Sequence, residues 1–507
     1  MARFDITRRY LLKSAACLSL AAPLGRWLQA SEMPLPAREE EGAQAEFVIH
    51  PKRTGRIVSK TLTGLSYETL QLADPSFFCA DNHALVQLFR QLSPQGVLRI
   101  GGNTSDYTVW SDYRGSVPLQ TTHKGGPQQP FVLKPEALHA LAGFLDATGW
   151  SLVFGVNLKI GVPAMAKSLA MAVQQAVGDK LLAIQIGNEA NNYEADYAGF
   201  DAAWTPFHEA LRSTGVPIAG PDTGANSDWV IDYAARHAAS NVFLSRHYYR
   251  DAAPRGSIED MLGSDPGFYD EVEQVMQVAD AQHLPLRLTE ANSYYFGGRD
   301  GVSNVFASAL WGADFMLALA ERGVSGINFH GGSLTSVEAS LGREASARAG
   351  VDPRDAVSSR YSPIAGDRKL GFAPRPLYYG MSLAQQFAGA RMLHGALDTG
   401  GVNLAAYAAV RDDAVLVAMI NKDSTRDATV LLRGVGGWGH GRLTAMTAPS
   451  LESRHAVSFD GWGEQGMGHG GDGGGAAGKA VAVASDGSCR IALPKGSAAL
   501  LRLHRLA

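Results

Sequence analysis

The sequence predicts an α/β protein: a (β/α)8 TIM barrel with an additional all-β sandwich domain. Three observations lead there. Eight short strand-like segments alternate with helix-length segments between residues 61 and 331. Several of these strands are apolar through most of their length, as parallel strands covered on both faces should be. From about residue 388 the pattern changes to short alternating strands between Gly, Asp and Pro turns, which reads as all-β. A length of 507 residues suits a barrel of roughly 250–350 residues plus a second module.

The strands are Thr61–Glu68, Gly96–Gly102, Ser151–Leu158, Leu181–Glu189, Val216–Asp222, Asn241–Tyr249, Leu284–Glu290 and Gly323–Gly331. Between them lie helical segments such as NHALVQLFRQL and MAKSLAMAVQQAVG, with apolar residues every three to four positions. Eight such units close naturally into a ring. An open doubly wound sheet is the alternative, but no G-x-G-x-x-G follows the first strand. Residues 332–375 carry few core signals and are expected to form a long loop over the barrel mouth.

Residues 1–30 read as an export signal. Thr7-Arg8-Arg9-Tyr10-Leu11-Leu12-Lys13 precedes a short apolar run, a positive n-region followed by an h-region. The paired arginines resemble a twin-arginine signal, which implies an exported, periplasmic or secreted protein. Too little apolar sequence precedes Cys17 for a lipidation box. Residues 31–60 are expected to be a lead-in and a strand given to the sandwich, 61–387 the barrel, and 388–507 the sandwich. The run Gly461–Ala480 is too glycine-rich to pack, and it lacks the Lys-Ser/Thr ending of a phosphate loop. His469 within it is expected to be solvated.

Hydrophobic residues make up 46% of the chain and charged residues 19%, enough to bury a large core. The formal net charge of -4 gives no strong basic field for nucleic acid. No run beyond the signal is long enough to span a membrane. No Cys/His spacing suggests structural zinc, and no cofactor is expected. Past the signal only Cys79 and Cys489 remain; sequence leaves their pairing open, along with oligomeric state.

Catalytic groups of such barrels sit at the C-terminal ends of strands. The fourth strand ends Gly187-Asn188-Glu189 and the seventh Leu288-Thr289-Glu290. A carboxylate after an apolar strand is costly to bury without a purpose. Two of them, three strands apart around a ring, can face each other across the mouth. Glycosidic cleavage needs this: one carboxylic acid protonates the leaving oxygen, the other attacks the anomeric carbon or activates water. Asn188 can donate to a sugar hydroxyl. Glu68 and Asp106 can hold hydroxyls, or serve as salt-bridge and turn residues. His247 and Tyr249 can orient a nucleophile or line the pocket, and His330 is similar. A metal site built from His247, His330, Asp106 and the glutamates lacks any tight ligand pairing. A serine nucleophile lacks its elbow motif.

At this point the chain resembles glycoside hydrolase family 79, the β-glucuronidase and heparanase-like family. The resemblance rests on GLSYE (Gly64–Glu68), LRIGGNTSDY (Leu98–Tyr107), QIGNEANNY (Gln185–Tyr193), SRHYY (Ser245–Tyr249), LTEANSYYFGG (Leu288–Gly298) and GVSGINFHGG (Gly323–Gly332). It implies a retaining exo-β-D-glucuronidase acting on glucuronic-acid-containing oligosaccharides or polysaccharides. Glu189 would then be the general acid/base and Glu290 the nucleophile. Asp106 and Glu68 would sit near the sugar, and Tyr249, with Tyr248 as contender, near the nucleophile. Donors for the sugar carboxylate are expected among Tyr294, Tyr295, Tyr361 and the glycines at Gly297-Gly298 and Gly331-Gly332. Arg99 would brace the carboxylates or simply pair within the barrel. An endo-acting enzyme on uronic polysaccharides, another β-glycosidase specificity such as glucose, xylose or arabinose release, and a non-catalytic carbohydrate-binding protein are the alternatives.

Overall fold

A computed structural model describes residues 42–117, 130–346, 348, 351–459 and 478–505. The expected export signal, most of the glycine-rich run and His469 lie outside the described residues.

Eight parallel strands close into a barrel: β2 (Thr63–Glu68), β3 (Val97–Gly101), β4 (Ser151–Val156), β5 (Leu181–Ile186), β6 (Ile218–Thr223), β7 (Leu244–Ala252), β8 (Leu286–Tyr295) and β9 (Gly326–Gly331). They follow one another around the ring in chain order, β9 returning to β2. Each coincides with a strand expected from sequence, with ends shifted by a few residues. The small side chains of Val97, Val153, Ala183 and Ala219, with Phe243, form a separate buried cluster, as a barrel filled by layers of side chains requires.

Two bulges disturb this ring where chemistry is to be placed. Against β7, β8 pairs Leu288 with Arg246 and then Glu290 with His247, leaving Thr289 as an extra residue. β6 pairs Pro221 with Ser245 and then Thr223 with Arg246, leaving Asp222 extra, with a left-handed φ of 59°. A bulge re-aims side chains that strict alternation would send to opposite faces.

The expected loop over the mouth is a folded excursion. It holds the helices Leu334–Ser340 and Pro353–Ala356 and a hairpin of Ile364–Asp367 with Gly371–Pro374. Arg375 pins it, bonding Asp355 at 2.7 Å and the Ser359 carbonyl.

The second domain is a ten-stranded curled sheet. Its main strands are β1 (Ala43–Ile57), β10 (Arg391–Asp398), β11 (Leu404–Arg411), β12 (Ala414–Asn421), β13 (Ala428–Arg433), β14 (Trp438–Thr447), β15 (Cys489–Leu493) and β16 (Ser497–Arg505). β1 lies inside the sheet: it runs antiparallel to β10 and parallel to β13. Ala45, Phe47 and Ile49 bury one face of it in the domain's own core. β12 is buried on both faces. Val415, Val417 and Met419 face the sandwich core, while Leu416, Ala418 and Ile420 join the barrel's cluster. Cys79 and Cys489 are both free thiols. Among the described residues no helix is long and apolar enough to cross a membrane.

Helix Ala307–Arg322, buried on almost every side, meets the sandwich. Its Asp314 accepts 2.6 Å hydrogen bonds from the Tyr407 hydroxyl and the Lys422 ammonium, which is 9% exposed. Removing the carboxylate strands a buried cation. Asp314→Ala is therefore expected to cost about 3 kcal/mol, read as a lowered melting temperature, with Asp314→Asn recovering part of the loss. An unchanged melting temperature would show that this pair does not join the two domains.

Candidate active site

A cavity of about 550 Å3 opens at the C-terminal ends of the barrel strands. Its floor is organised by Arg99, on β3, which is fully buried. One terminal nitrogen donates to Glu290 Oε2 at 2.6 Å. The other donates to Asp222 Oδ2 at 2.6 Å and Asn188 Oδ1 at 2.7 Å. The guanidinium fits because residue 101, two positions on, is glycine: a Cβ there would lie 2.5 Å from Arg99 Nε.

Glu290 is 8% exposed. Oε2 takes the arginine bond and Oε1 accepts from the Tyr249 hydroxyl at 2.7 Å. Burial alone would raise its pKa. The charges of His330, His247 and Arg99, with the tyrosine hydrogen bond, outweigh burial and hold it well below the usual carboxylate range.

Glu189 sits across the cavity after β5, with left-handed backbone (φ 47°, ψ 47°). Gly187 before it also has positive φ, and the Glu189 N–H is tied to the Asp222 carbonyl at 2.9 Å. A non-glycine residue held there costs about 1–3 kcal/mol, and such strain gathers at functional sites. Its side chain is 19% exposed, more open than that of Glu290 at 10%. His247 Nδ1 lies 2.8 Å from Oε1, and Asn192 donates to Oε2 at 2.8 Å.

His247 bridges the network: its Nε2 lies 3.0 Å from Asp222 Oδ1. Burial would lower its pKa, but Asp222 and then Glu290, with hydrogen bonds to Asp222 and Glu189, push it up to about 10. It is thus an imidazolium at neutral pH, with one ring nitrogen at Asp222 and the other at Glu189. One donor atom each from Glu189, His247 and Glu290 lie within 4.8 Å of one another, so the facing carboxylates approach within that distance. A metal ion would compete for His247 nitrogens that already serve carboxylates and would sit beside the Arg99 cation. The donor set is built as an ion-pair network.

Most other residues singled out from sequence also reach the cavity, in differing roles. Glu68 accepts from the Thr104 N–H and hydroxyl at 2.9 and 2.7 Å and lies 3.5 Å from His330 Nε2. His330 Nδ1 lies 3.1 Å from Ser66 Oγ. Asn188 lines the cavity while its Oδ1 serves Arg99 and its Nδ2 donates to Asn103 at 3.1 Å. Asp106 also lines it, but its oxygens accept from the Leu158, Lys159 and Asn188 N–H groups and the Tyr193 hydroxyl. It therefore clamps the loops after β3, β4 and β5; burial, against those hydrogen bonds, raises its pKa to about 6. Tyr249, Tyr295 and Tyr361 stand together, with Tyr249 about 6 Å from each of the other rings. Tyr248 packs on Phe268 and Phe315 and donates to Asp265, so Tyr249 is the tyrosine at Glu290.

Two expectations are corrected. Tyr294 lies outside the cavity: its hydroxyl donates to Asp260 and the Ser257 carbonyl, which holds the ring against Gly256. Gly331 is covered by Ser362 and Pro363, whose side chains a Cβ there would strike, and it does not line the cavity. Sequence reasoning overlooked Asp222, although it too ends a barrel strand, and Thr289, which donates to Asp222 Oδ1 at 2.5 Å. Gln185, also overlooked, donates to the same oxygen at 2.6 Å. Lys159, between the Tyr107 and Tyr193 rings, and Arg343 supply cations to the cavity wall.

No family model matches the chain. A β-glucuronidase of Aspergillus niger is 25% identical over 398 residues, covering 69% of this chain and 68% of that protein. A β-glucuronidase of Neurospora crassa is 24% identical over 289 residues, covering 46% of this chain and 50% of that protein. Among solved structures, a 4-O-α-L-rhamnosyl-β-D-glucuronidase from Fusarium oxysporum superposes with a TM-score of 0.67 at 18% identity, over 90% of this chain and 99% of that one. An arabinofuranosidase from Xanthomonas axonopodis pv. citri gives 0.63 at 16% identity, over 91% and 100%. The chain therefore carries the catalytic fold of glycoside hydrolases, related to those of β-glucuronidases and arabinofuranosidases.

The raised His247 pKa makes a signed prediction. A group charged more readily in the folded state stabilises it fully below its unfolded pKa, about 6.5. The contribution falls as pH rises and is lost through the folded value of about 10. The melting-temperature advantage of wild type over His247→Gln is expected to be largest near pH 6 and to shrink steadily toward pH 10. A gap independent of pH would contradict a charged bridge.

Proposed function

We propose that the protein is a retaining exo-β-D-glucuronidase that works by double displacement through Glu290 and Glu189. One observation carries the reading: two carboxylates approach within 4.8 Å across one cavity in unlike surroundings. A short separation suits a retaining mechanism, whereas an inverting enzyme needs a wider gap for water. Glu290, kept ionised by Arg99 and oriented by Tyr249, would attack C1. Glu189, more open and hydrogen-bonded by His247 and Asn192, would protonate the leaving oxygen. Esterification of Glu290 removes a negative charge from the cavity. Glu189, having given its proton to the leaving group, would then act as base toward the incoming water.

The β-glucuronidase names of the curated relatives support glucuronate as the sugar. Tyr295, Tyr361 and Arg343 on the cavity wall offer donors to a sugar carboxylate, with Arg343 able to supply charge. The cavity volume falls in the range of small-ligand pockets, which favours a terminal sugar. An endo mode has one observation in its favour. A neighbouring cleft of about 750 Å3 shares Phe296 and Arg343 with the cavity and adds Arg299, Arg348 and Arg360, set among Asp300, Glu338 and Glu344. Product lengths from a uronic polysaccharide digest separate the two.

Three measurements test the reading. Glu290→Gln is expected to lose at least about 1000-fold in kcat with circular dichroism unchanged. Glu189→Ala should fail most on poorly activated leaving groups, and azide should restore turnover to give a β-glycosyl azide. Among aryl glycosides differing only at C6, the glucuronide should outrun the glucoside. Full activity in Glu290→Gln would remove the mechanism; preference for the glucoside would remove the substrate.

A further inference from the structure

A second cleft, of about 570 Å3, lies wholly on the β-sandwich. One side is the first strand. β1 loses register with β10 between Ile49 and Thr54, and this irregularity leaves Pro51, Lys52 and Arg53 exposed. Such breaks in a ladder re-aim side chains away from the sheet. The facing side is the turn through Gly436 and Gly437 into β14. A Cβ on Gly437 would meet nothing within 4 Å, so the space above this turn is not filled by the described protein.

Trp438 lines the cleft and is 8% exposed. Its indole N–H has no hydrogen-bond partner among the described residues, although buried indole N–H groups usually find one. The Arg505 guanidinium lies 5.7 Å from the centre of the indole, a cation–π contact that orients it beside the opening. His50, Lys52 and Arg53 complete the rim, and among the described residues no carboxylate lines the cleft. The whole chain carries a formal charge of -4, so this concentration of cations is local and does not follow from composition.

Three permanent cations, Lys52, Arg53 and Arg505, beside the apolar Pro51 ring and the exposed edge of Trp438 match a pyranose ring bearing an anionic group. The C–H face of the sugar meets the apolar surface. Its carboxylate or sulfate meets Lys52, Arg53 and Arg505 through charge-assisted hydrogen bonds. We propose that this cleft is an accessory, non-catalytic binding site for acidic saccharides, which holds a uronate- or sulfate-bearing polymer to the enzyme. The choice of a sugar over other polyanions rests on the proposed glycosidase reading. The cleft itself stands on its own geometry.

The full chain is run by affinity electrophoresis through gels containing polyglucuronate, dextran sulfate, neutral dextran or duplex DNA. Retardation is expected with polyglucuronate or dextran sulfate, and whichever is stronger identifies the preferred anion. The apparent affinity should fall at least fivefold in Lys52→Glu/Arg53→Glu and in Arg505→Glu, two surface changes that spare the core. Glu290→Gln should bind as wild type does, and the charge-reversal variants should hydrolyse a small aryl glucuronide within twofold of wild type. Absence of retardation by both acidic polymers, retardation that survives both charge reversals, or equal retardation by duplex DNA would overturn the site. Wild type that binds polymer at this cleft yet leaves aryl glucuronides intact would sink the substrate reading and leave the cleft standing.

Discussion

The barrel mouth depends on one buried cation. Arg99 sits where water cannot reach it, and a charge in that position is tolerable only with anionic partners in contact. Glu290 and Asp222 are those partners, and each is held ionised in part by the arginine. The mutual requirement ties β3 to β6 and β8 across the barrel interior and fixes Asn188, hence the approach to Glu189, through the same guanidinium. It also sets charge states. Asp222, despite burial, is held well below the usual carboxylate range by Arg99 and His247. That anion in turn keeps His247 charged beside Glu189.

The result is two glutamates with a common cavity and different electrostatic surroundings. Glu290 faces a guanidinium, two imidazoles and a tyrosine hydroxyl. Glu189 faces one imidazolium and the more open side of the cavity. Around them, Asp106 spends its hydrogen-bonding capacity on backbone N–H groups of two loops and the Tyr193 hydroxyl, so the Glu189 loop is set by a neighbouring carboxylate as well as by its own strained backbone.

The eight barrel strands were legible because each is a short apolar run ended by glycine, proline or polar residues, and periodicity carries that information. Glu189 and Glu290 were legible because a carboxylate closing an apolar run is physically conspicuous. Asp222 closes such a run too, but Gly220-Pro221-Asp222 reads as an ordinary turn. Only the bulge against β7 turns its side chain inward. A bulge is a relation between two strands and leaves no periodic trace in one. The same limit explains Tyr294. Alternation from Glu290 would place it inside, yet Asp260 and Ser257, on the segment after β7, capture its hydroxyl and leave Tyr295 at the cavity. The excursion over residues 332–375 was unreadable for another reason. Its helices span seven and four residues, too few to show a period, and the shorter one is held by Arg375.

The most direct test of this account is to trap the intermediate with a 2-deoxy-2-fluoro-β-glucuronyl fluoride and locate the label by peptide mass spectrometry, in wild type and in Arg99→Leu. The account requires one glucuronyl adduct on Glu290 in wild type. Labelling in Arg99→Leu should be about 100-fold slower or worse, as for loss of a preorganised electrostatic contact. A label on any other side chain, or undiminished labelling without Arg99, would contradict it.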